Sequence, residues 1–386
     1  MKKPVSKKMV PYSHQSIDAD DIASVVKVLQ SDWLTQGPSV KEFEEALKKE
    51  TRADFAAAFS SGTAALEAAY FAAGIKKGDE IITSPLTFSA TANAALWAGA
   101  KIIFADVEQA SGNIDPREVL KKITPKTKAI VPVDYAGLPA KIDELSDIAR
   151  QNNLILIEDA AHSLGATYKG KKVGGIADMT MFSFHPVKSI TTGEGGAIMT
   201  NDQVLYERLI LFREHGITKD RTKFKGSDEG PWYYEMQELA HNYRLTDIQA
   251  ALGLSQIKKL SVFVDKRAKV ASRYKRAFMG DANFILPQDF ENTRSSWHLY
   301  PLRLAGKCAT RRKKIFTELR ALGIGVQVHY IPVYLNPFYQ GLGYKKGLCP
   351  RAEAFYETEL SIPIFPGLSV KDQDFVIKTI EKLSRL

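Results

Sequence analysis

Between residues 55 and 200, short apolar segments alternate with segments of helical character, and this alternation restricts the fold more than any other feature of the sequence. The apolar segments are rich in Ile and Val without polar alternation, which is typical of strands in a sheet covered on both faces. The strand–helix alternation predicts a mostly parallel α/β sheet with right-handed crossovers. The predicted strands cover residues 55–59, 80–83, 101–105, 128–133, 154–158, 179–184 and 196–200. The predicted helices cover residues 63–73, 89–98, 116–122 and 142–151.

The remainder of the chain extends this pattern into two predicted domains. A length of 386 residues favours more than one domain. We expect a large domain over residues 1–265, with an N-terminal arm, and a smaller C-terminal α/β domain over residues 266–386. Asp18 or Asp20 is placed to cap a first helix, and Ser39 to cap a helix over 40–50. Residues 216–242 are expected to form a long loop. Further helices are predicted over 202–215, 244–277, 310–321, 351–359 and 370–384, and further strands near 299–304 and 325–329.

The composition argues against several classes of protein. Hydrophobic residues make up 45% of the chain, enough for a sizeable core, yet no apolar run reaches the roughly 18 residues needed to span a bilayer. Cys308 and Cys349 lie far apart without metal-ligand spacing, so we expect no zinc or other metal site and a reducing compartment. The N-terminus lacks the apolar core of a signal peptide. We therefore expect a cytoplasmic protein without a membrane partner.

The net charge of +9 has two explanations. Basic residues cluster at 2–8 and 219–225, but neither stretch is interleaved with stacking aromatics as in a recognisable nucleic-acid module. A phosphate-bearing small molecule accounts for the surplus equally well. We expect no nucleic-acid partner, and a basic nucleic-acid-binding protein is kept as an alternative that would bind DNA tightly and in a salt-sensitive way.

Residues 179–200, MTMFSFHPVKSITTGEGGAIMT, place one lysine between two predicted strands. Pro186 and the glycine-rich segment 193–196 prevent a long helix here. Lys188 therefore stands in a loop beside hydroxyl groups and flexible backbone. A desolvated lysine loses its proton more easily and can form a Schiff base with an aldehyde. The alternative is a surface loop with an ordinary solvated lysine.

Two further segments place functional groups at the carboxyl ends of predicted strands, where open α/β sheets bind ligands. Ser61-Gly62-Thr63 stands between a strand and a helix, so backbone N–H groups at the helix start can hold a phosphate. A simple helix cap is the alternative. Glu158-Asp159 ends another strand, and an ionised Asp159 would keep the nitrogen of a pyridine ring protonated. The alternative is that one of these acids caps the following turn.

Other candidate residues have equally plain structural alternatives. Phe88 follows a strand and can either stack on a ring or pack in the core. Asn242 ends the long loop and can either cap a helix or reach a phosphate. His329 and Tyr330 end the predicted strand at 325–329, where a substrate can enter, although a lone histidine is more often structural.

Four motifs, in the order SSGTAAL, EDAAHSLGA, FSFHPVKSITTGEGGA and HNYRLTDIQAALG, resemble the DegT/DnrJ/EryC1/StrS family of nucleotide-sugar aminotransferases. The resemblance covers nearly the whole chain. It implies a fold-type I transferase that depends on pyridoxal 5'-phosphate (PLP), with a mostly parallel mixed sheet in the large domain. Within the family, SDWLTQGP and VHYIPVY are most similar to the UDP-sugar 4-aminotransferases of pseudaminic acid biosynthesis.

The resemblance also implies roles for residues around the cofactor ring. Lys188 would bond covalently to the PLP aldehyde, and Asp159 would pair with the pyridinium nitrogen. Phe88 would stack on the ring, with His162 close to its 3-hydroxyl side. Some relatives are dehydratases with a histidine in place of Lys188, so the lysine of this chain implies transamination.

For the phosphate and the sugar nucleotide, the resemblance implies a site shared between two subunits of a homodimer. Gly62, Thr63 and Ser183 would hold the cofactor phosphate, and Asn242 would reach it from the other subunit. The sugar-nucleotide pocket would be lined by Tyr12, Thr35, Gln36, His329 and Tyr330.

The implied reaction moves an amino group from L-glutamate to C4 of a UDP-4-keto-6-deoxy-N-acetylhexosamine. One alternative is another UDP- or dTDP-4-keto sugar, of the 4-amino-4-deoxy-arabinose or bacillosamine type. Another alternative is a PLP-binding sensor that binds the cofactor without turnover. Conversion of the cofactor by glutamate distinguishes an enzyme from a sensor.

Overall fold

A computed structural model describes residues 9–288 and 290–385, so the basic segment at 2–8 lies outside the described residues. The α-helices are α1 (Ala19–Leu29), α2 (Pro38–Thr51), α3 (Gly62–Ala72), α4 (Ser89–Trp97), α5 (Pro116–Leu120), α6 (Ile142–Gln151), α7 (Gln203–Arg213), α8 (Asp247–Ile257), α9 (Leu260–Phe278), α10 (Arg312–Ala321), α11 (Pro337–Gly341), α12 (Pro350–Thr358) and α13 (Val370–Arg385). The strands are β1 (Phe55–Phe59), β2 (Glu80–Thr83), β3 (Lys101–Phe104), β4 (Thr127–Val131), β5 (Ile155–Asp159), β6 (Thr167–Tyr168), β7 (Lys171–Lys172), β8 (Met179–Ser183), β9 (Gly196–Thr200), β10 (Ile217–Thr218), β11 (Glu235–Met236), β12 (Phe284–Ile285), β13 (Thr293–Arg294), β14 (Tyr300–Leu304) and β15 (Glu359–Ile362).

The central sheet has seven strands in the order β1-β9-β8-β5-β4-β2-β3. Strands β8, β5, β4, β2 and β3 run parallel, while β9 is antiparallel to both of its neighbours. The crossover helices cover the faces of the sheet, so its strands are apolar along their length. The predicted mostly parallel mixed sheet is therefore confirmed.

Helix α3 brings the backbone of its first turn close to the sheet. Its sequence, GTAALEAAYFA, places small alanines against strands β8 and β9. Ala65, Ala68 and Ala69 are fully buried. Because alanine side chains add little thickness, the start of the helix lies directly above the end of β8, where the predicted site residues are found.

The C-terminal part of the chain builds a second apolar core around a three-stranded sheet in the order β12-β14-β15. Tyr274 and Phe278 from α9 pack there with Tyr300 and Leu302 from β14. Helix α9 crosses the expected division between residues 265 and 266. The two-domain division stays a prediction.

The structure also differs from the predicted elements in several places. Residues 325–329 form no strand. Gln327 makes an isolated bridge, and a second isolated bridge lies just before this segment, at Ile324. The helix predicted over 244–277 is divided into α8 and α9, and β15 begins where a helix was expected to end. The long loop at 216–242 contains the β10–β11 hairpin. None of the helices in the described part of the chain combines the length and apolar composition needed to cross a bilayer.

Helix α2 begins at Pro38, so the prediction that Ser39 caps it is wrong, whereas Asp18 does cap α1. The backbone N–H groups of Gly37 and Ser39 instead donate to Asp247 Oδ2 and Oδ1 at 2.8 and 2.9 Å. Asp247 is fully buried at the start of α8. A carboxylate from a distant helix therefore satisfies the free donors at the start of α2.

Replacing Asp247 with alanine is expected to lower the free energy of unfolding by about 1–3 kcal/mol, because two partly buried backbone donors lose a charged, buried acceptor. Asp247→Asn retains one acceptor oxygen and should lose less. Urea unfolding followed by circular dichroism measures the difference. Asp147→Ala, which removes an exposed carboxylate from α6, is the control and should change stability by under about 1 kcal/mol. Equal stability of the Asp247→Ala variant and the parent would contradict this capping role.

Candidate active site

A cavity of about 540 Å³ opens where the ends of β5 and β8 meet the start of α3. It brings together residues that lie far apart in the sequence. The predicted site residues that line it are Tyr12, Gly62, Thr63, Phe88, Asp159, His162, Ser183, Lys188, His329 and Tyr330. One continuous space therefore joins the predicted cofactor residues to part of the predicted sugar pocket.

Three predicted site residues lie outside this cavity. Thr35, Gln36 and Asn242 are exposed on the surface of the single chain. Thr35 forms a bridge with Thr246, and Asn242 with Glu214. Their expected roles in a site shared between subunits stay predictions.

Lys188 lies in the loop between β8 and β9, at the boundary between the cavity and the C-terminal part of the chain. Its backbone N–H donates to the carbonyl of His185 at 2.9 Å, which closes a tight turn after Pro186. Burial lowers the pKa of the Lys188 ammonium group to about 8, with a further contribution from the charge of Arg267. Asp159 acts in the opposite direction. Roughly a tenth of the amine is therefore neutral at pH 7, far more than for an ordinary lysine, and the neutral amine is the form that acts as a nucleophile.

The buried cation near Lys188 was not predicted from the sequence. Arg267 on α9 is 1% exposed and donates to four backbone carbonyls, one of which belongs to Val187 at 3.3 Å. It has no carboxylate partner among residues 9–288 and 290–385. Nothing in the local sequence distinguishes Arg267 from the other basic residues of α9, because its partners come from distant segments.

Asp159 ends β5 with its carboxylate in the cavity wall. Its Oδ2 atom accepts a hydrogen bond from Thr91 Oγ1 at 2.6 Å, and its Oδ1 atom accepts the backbone N–H of Ala161 at 3.2 Å. Burial raises the pKa of Asp159, while these hydrogen bonds and the charge of Lys188 lower it. The same residue thus faces the cavity and caps the following turn, so the two sequence interpretations are not exclusive.

Glu158 points away from the cavity and toward a second buried carboxyl group, that of Asp134. Its Oε2 atom accepts a hydrogen bond from Thr180 at 2.9 Å. Burial, followed by the charge of Asp134, raises the pKa of Glu158 well above its usual range. The neutral form of Glu158 is therefore favoured beneath the site, and only Asp159 of the adjacent acidic pair presents a carboxylate to a ligand.

The start of α3 forms a cradle of bare backbone. Ser61 caps the helix by accepting the N–H of Ala64 at 3.1 Å, as the alternative interpretation held. The N–H groups of the first helical residues, Gly62 and Thr63, have no intrahelical acceptor and remain available to an anion. A Cβ atom on Gly62 would lie 3.1 Å from Cβ of Ser183, and one on Gly196 only 2.7 Å from Cα of Gly62. Glycine is therefore required at position 196, and Ser183 leaves little room for a side chain at position 62.

Aromatic and imidazole rings form the opposite wall. The Tyr330 hydroxyl lies 3.0 Å from Nε2 of His162, and the ring centroids of His162 and His298 are 4.3 Å apart. Burial holds the pKa of both histidines well below the usual range, so both are neutral. His298, like Thr91, was not predicted, because only the fold brings it against His162.

The residues present fit PLP, the cofactor implied by the family resemblance. The anion cradle at Gly62 and Thr63 suits a phosphate group, and the glycine backbone leaves room for its close approach. Asp159 supplies an acceptor for a ring N–H. Lys188 supplies a buried amine of lowered pKa for an aldehyde, and Nδ1 of His162 is a buried ring atom without a partner among the described residues. Phosphate, ring and aldehyde thus each have a matching group in one cavity.

The glycine cradle can be tested by adding a single methyl group. Gly196→Ala would place a Cβ atom 2.6 Å from the carbonyl oxygen of Ser61, and displacement of α3 should weaken PLP binding by about tenfold or more, equivalent to about 1.4 kcal/mol. Titration of the apoprotein with PLP, followed by absorbance, measures the affinity. Gly341→Ala is the matched control, since a Cβ there meets nothing within 4 Å. Unchanged PLP affinity in Gly196→Ala would contradict the close approach.

Comparison with known proteins agrees with this site. The model of the DegT/DnrJ/EryC1/StrS aminotransferase family matches residues 15–381. The chain is 44% identical over 375 residues to the UDP-4-amino-4,6-dideoxy-N-acetyl-beta-L-altrosamine transaminase of Campylobacter jejuni, with 96% of each chain covered.

Solved structures give the same result. Helicobacter pylori PseC, described as an aminotransferase involved in the biosynthesis of pseudoaminic acid, has a TM-score of 0.91 at 37% identity, over 98% of this chain and 100% of that one. The PLP-form of the putative sugar aminotransferase Spr1654 from Streptococcus pneumoniae has a TM-score of 0.91 at 32% identity, over 98% and 99%. The chain therefore belongs to the DegT/DnrJ/EryC1/StrS aminotransferase family.

Proposed function

We propose that this protein is a PLP-dependent aminotransferase that moves an amino group from L-glutamate to C4 of a UDP-linked 4-keto-6-deoxy-N-acetylhexosamine. The observation that carries the proposal is the single cavity shared by Lys188, Asp159 and the open backbone at the start of α3. Family membership supports the reaction class. The names of relatives at 44%, 42% and 39% identity, all UDP-sugar transaminases, support the substrate class.

When bound, PLP supplies an electron-withdrawing ring that stabilises negative charge on the carbon next to the transferred nitrogen. The protein residues prepare and direct that chemistry. The carboxylate of Asp159, which Thr91 orients through a hydrogen bond to Oδ2 at 2.6 Å, would accept a hydrogen bond from the ring nitrogen and keep it protonated. The Nζ amine of Lys188 would take a proton from the carbon on one side of the transferred nitrogen and give it to the carbon on the other side, a role that its pKa of about 8 allows near neutral pH.

The far end of the cavity is proposed to bind the sugar. Tyr12 and His329 have ring centroids 5.7 Å apart, and Tyr330 is hydrogen-bonded to His162 beside them. These rings present uncharged polar edges, which suit the hydroxyl and carbonyl oxygens of a sugar. A 4-keto sugar of the 4-amino-4-deoxy-arabinose or bacillosamine type remains the alternative substrate. A panel of 4-keto UDP- and dTDP-sugars, with products identified by mass spectrometry and NMR, distinguishes these substrates.

We also propose that two copies of the chain complete each site. Asn242, Thr35 and Gln36 lie outside the cavity of their own chain, in exposed segments. Trp33 beside them and Phe88 at the cavity mouth are 56% and 63% exposed. Exposure of such large apolar side chains supports the proposal that these segments are covered by a second subunit.

Lys188→Ala is expected to abolish amino transfer from glutamate to the 4-keto sugar, because the variant lacks the amine that would move the proton between the two carbons beside the transferred nitrogen. Glutamate should also fail to convert bound PLP to its amino form. Both are measured by absorbance and product mass. Lys378→Ala, on the exposed face of α13, is the control and should retain parental activity. A fully active Lys188→Ala variant would overturn the proposal, and parental protein that binds PLP without conversion by glutamate would indicate a sensor.

Shared sites can be tested by mixing two defective variants. Lys188→Ala lacks the reactive amine, and Asn242→Asp places a negative charge where the partner's cofactor phosphate is expected. Random exchange of subunits makes half of the dimers mixed, and each mixed dimer has one intact site, so about a quarter of parental activity should return. Each variant incubated alone is the control. No recovery after verified subunit exchange would mean that Asn242 acts within its own chain or not at all.

A further inference from the structure

A chain of buried polar groups leads from β15 to the wall of the active-site cavity. Oε1 of Glu359 lies 2.5 Å from Oγ of Ser361, and this oxygen lies 2.8 Å from Nδ1 of His329. The other carboxyl oxygen of Glu359 accepts the backbone N–H of His329 at 2.9 Å. Glu359 and Ser361 are fully buried. The three side chains are therefore linked in series, and the acid and the hydroxyl lie away from bulk water.

The backbone fixes this arrangement. Side chains two residues apart on a strand point to the same face, so Glu359 and Ser361 lie side by side on β15. Gln327 and Ser361 exchange two backbone hydrogen bonds, at 3.2 and 2.9 Å. This antiparallel pairing brings His329, two residues further on, opposite Glu359.

The far nitrogen of the His329 ring is free to meet a ligand. The ring lines the cavity together with Lys188 and Tyr330. Nδ1 is held by Ser361, while Nε2 has no hydrogen-bond partner among the described residues. A neutral imidazole presents either a donor or an acceptor at Nε2, depending on which nitrogen carries the proton.

We propose that Glu359 and Ser361 are positioning residues that decide which ring nitrogen of His329 is protonated, and thereby whether His329 offers a hydrogen-bond donor or an acceptor to a molecule in the cavity. No charge on the ring is needed for this control. It depends on the direction in which the hydroxyl of Ser361 donates.

The direction follows from the protonation of Glu359. A carboxylate can only accept, so the Ser361 hydroxyl would donate to Glu359 and its oxygen would accept from Nδ1–H, which leaves Nε2 as a bare acceptor. In the neutral acid the proton sits on Oε1, because the other oxygen already faces the His329 N–H. Oε1–H would then donate to Ser361, Ser361 to Nδ1, and Nε2 would carry the proton. One proton on Glu359 thus reverses the direction of both side-chain hydrogen bonds between Glu359 and His329.

Burial raises the pKa of Glu359 to about 8, so the neutral acid predominates at pH 7. Burial lowers the pKa of His329 to about 3, so its ring stays neutral throughout. At pH 7 we therefore expect Nε2–H, a donor, to face the cavity. That donor suits an oxygen of the sugar, and this assignment of the ligand is the one part of the inference that rests on the proposed function. The other ionisable groups around these three side chains are Tyr12, Tyr135, His162, Lys188, His298, Arg303, Arg312 and Tyr330.

The test is the nitrogen-15 NMR signature of His329 in the PLP-loaded full-length protein, with histidine labelled in the ring. Protonated and bare ring nitrogens give well-separated signals, and His329→Gln identifies those of residue 329 among the seven histidines. Spectra at about pH 7 and about pH 9 bracket the pKa of about 8. We expect Nε2 to be protonated at the lower pH and Nδ1 at the higher pH.

Two variants isolate the control. Glu359→Gln must keep an oxygen toward the His329 N–H and turn its amide N–H toward Ser361, so Nε2 should stay protonated at both pH values. Ser361→Ala should abolish the pH-dependent change, and Ser361→Thr, which restores a hydroxyl, should recover it even if the alanine variant folds poorly. A His329 tautomer that is the same at both pH values in the parent, or that still changes in Glu359→Gln, would overturn the proposal. The measurement needs no turnover, so it can be made even if the proposed transamination does not occur, and the two failures can be told apart.

Discussion

The active site depends on one buried cation that holds the lysine loop against the C-terminal part of the chain. The guanidinium of Arg267 donates to the carbonyls of Trp297, His298, Ile364 and Val187, at 3.0–3.3 Å. Removing a guanidinium from water is costly unless its donors are satisfied, and here the two terminal nitrogens have acceptors while Nε has none among the described residues. Because the acceptors are neutral carbonyls, the cation keeps its charge and repels the neighbouring ammonium of Lys188. Arg267 therefore both fixes the lysine loop in place and lowers the pKa of Lys188.

The topology of the sheet explains why this lysine meets an acid. Strands β5 and β8 are parallel neighbours, so their carboxyl ends meet at the same edge. Asp159 ends β5, and the chain leaves β8 into the loop that contains Lys188. β9 then returns antiparallel beside β8, which keeps that loop short and close to the start of α3. Gly196 at the beginning of β9 allows this return, since a side chain there would collide with Gly62.

Local sequence was enough to predict most strands of the central sheet, because each is a short apolar run between turn signals. The strand at 55–59 was predicted for this reason. The cap of the first helix was predicted as Asp18 or Asp20 from the capping preference of aspartate, and Asp18 is the cap. The strand at 325–329 was wrong, because the segment satisfies its backbone by pairing with Val10 and Ser361 and not in a continuous ladder.

The predicted site residues were recognised from motifs, whereas their supporting contacts were not. Thr91 is 68 positions from Asp159, and Arg267 is 80 positions from Val187. No spacing in the sequence records such contacts. Asp247, which replaces Ser39 as the acceptor for α2, was missed for the same reason. Residues that touch a ligand carry a local pattern of chemistry, while residues that orient them are identified only by the fold.

The directions of the pKa shifts give the cavity a consistent electrostatic character. Burial favours the neutral amine of Lys188, the neutral rings of His162 and His329, and the neutral acid of Glu359. Burial also favours the neutral acid of Asp159, but its hydrogen bonds favour the carboxylate. A ligand that brings a protonated ring nitrogen would supply the missing positive charge at Asp159, and its phosphate would meet the positive end of the α3 dipole. The cavity is therefore suited to a ligand that carries both charges itself.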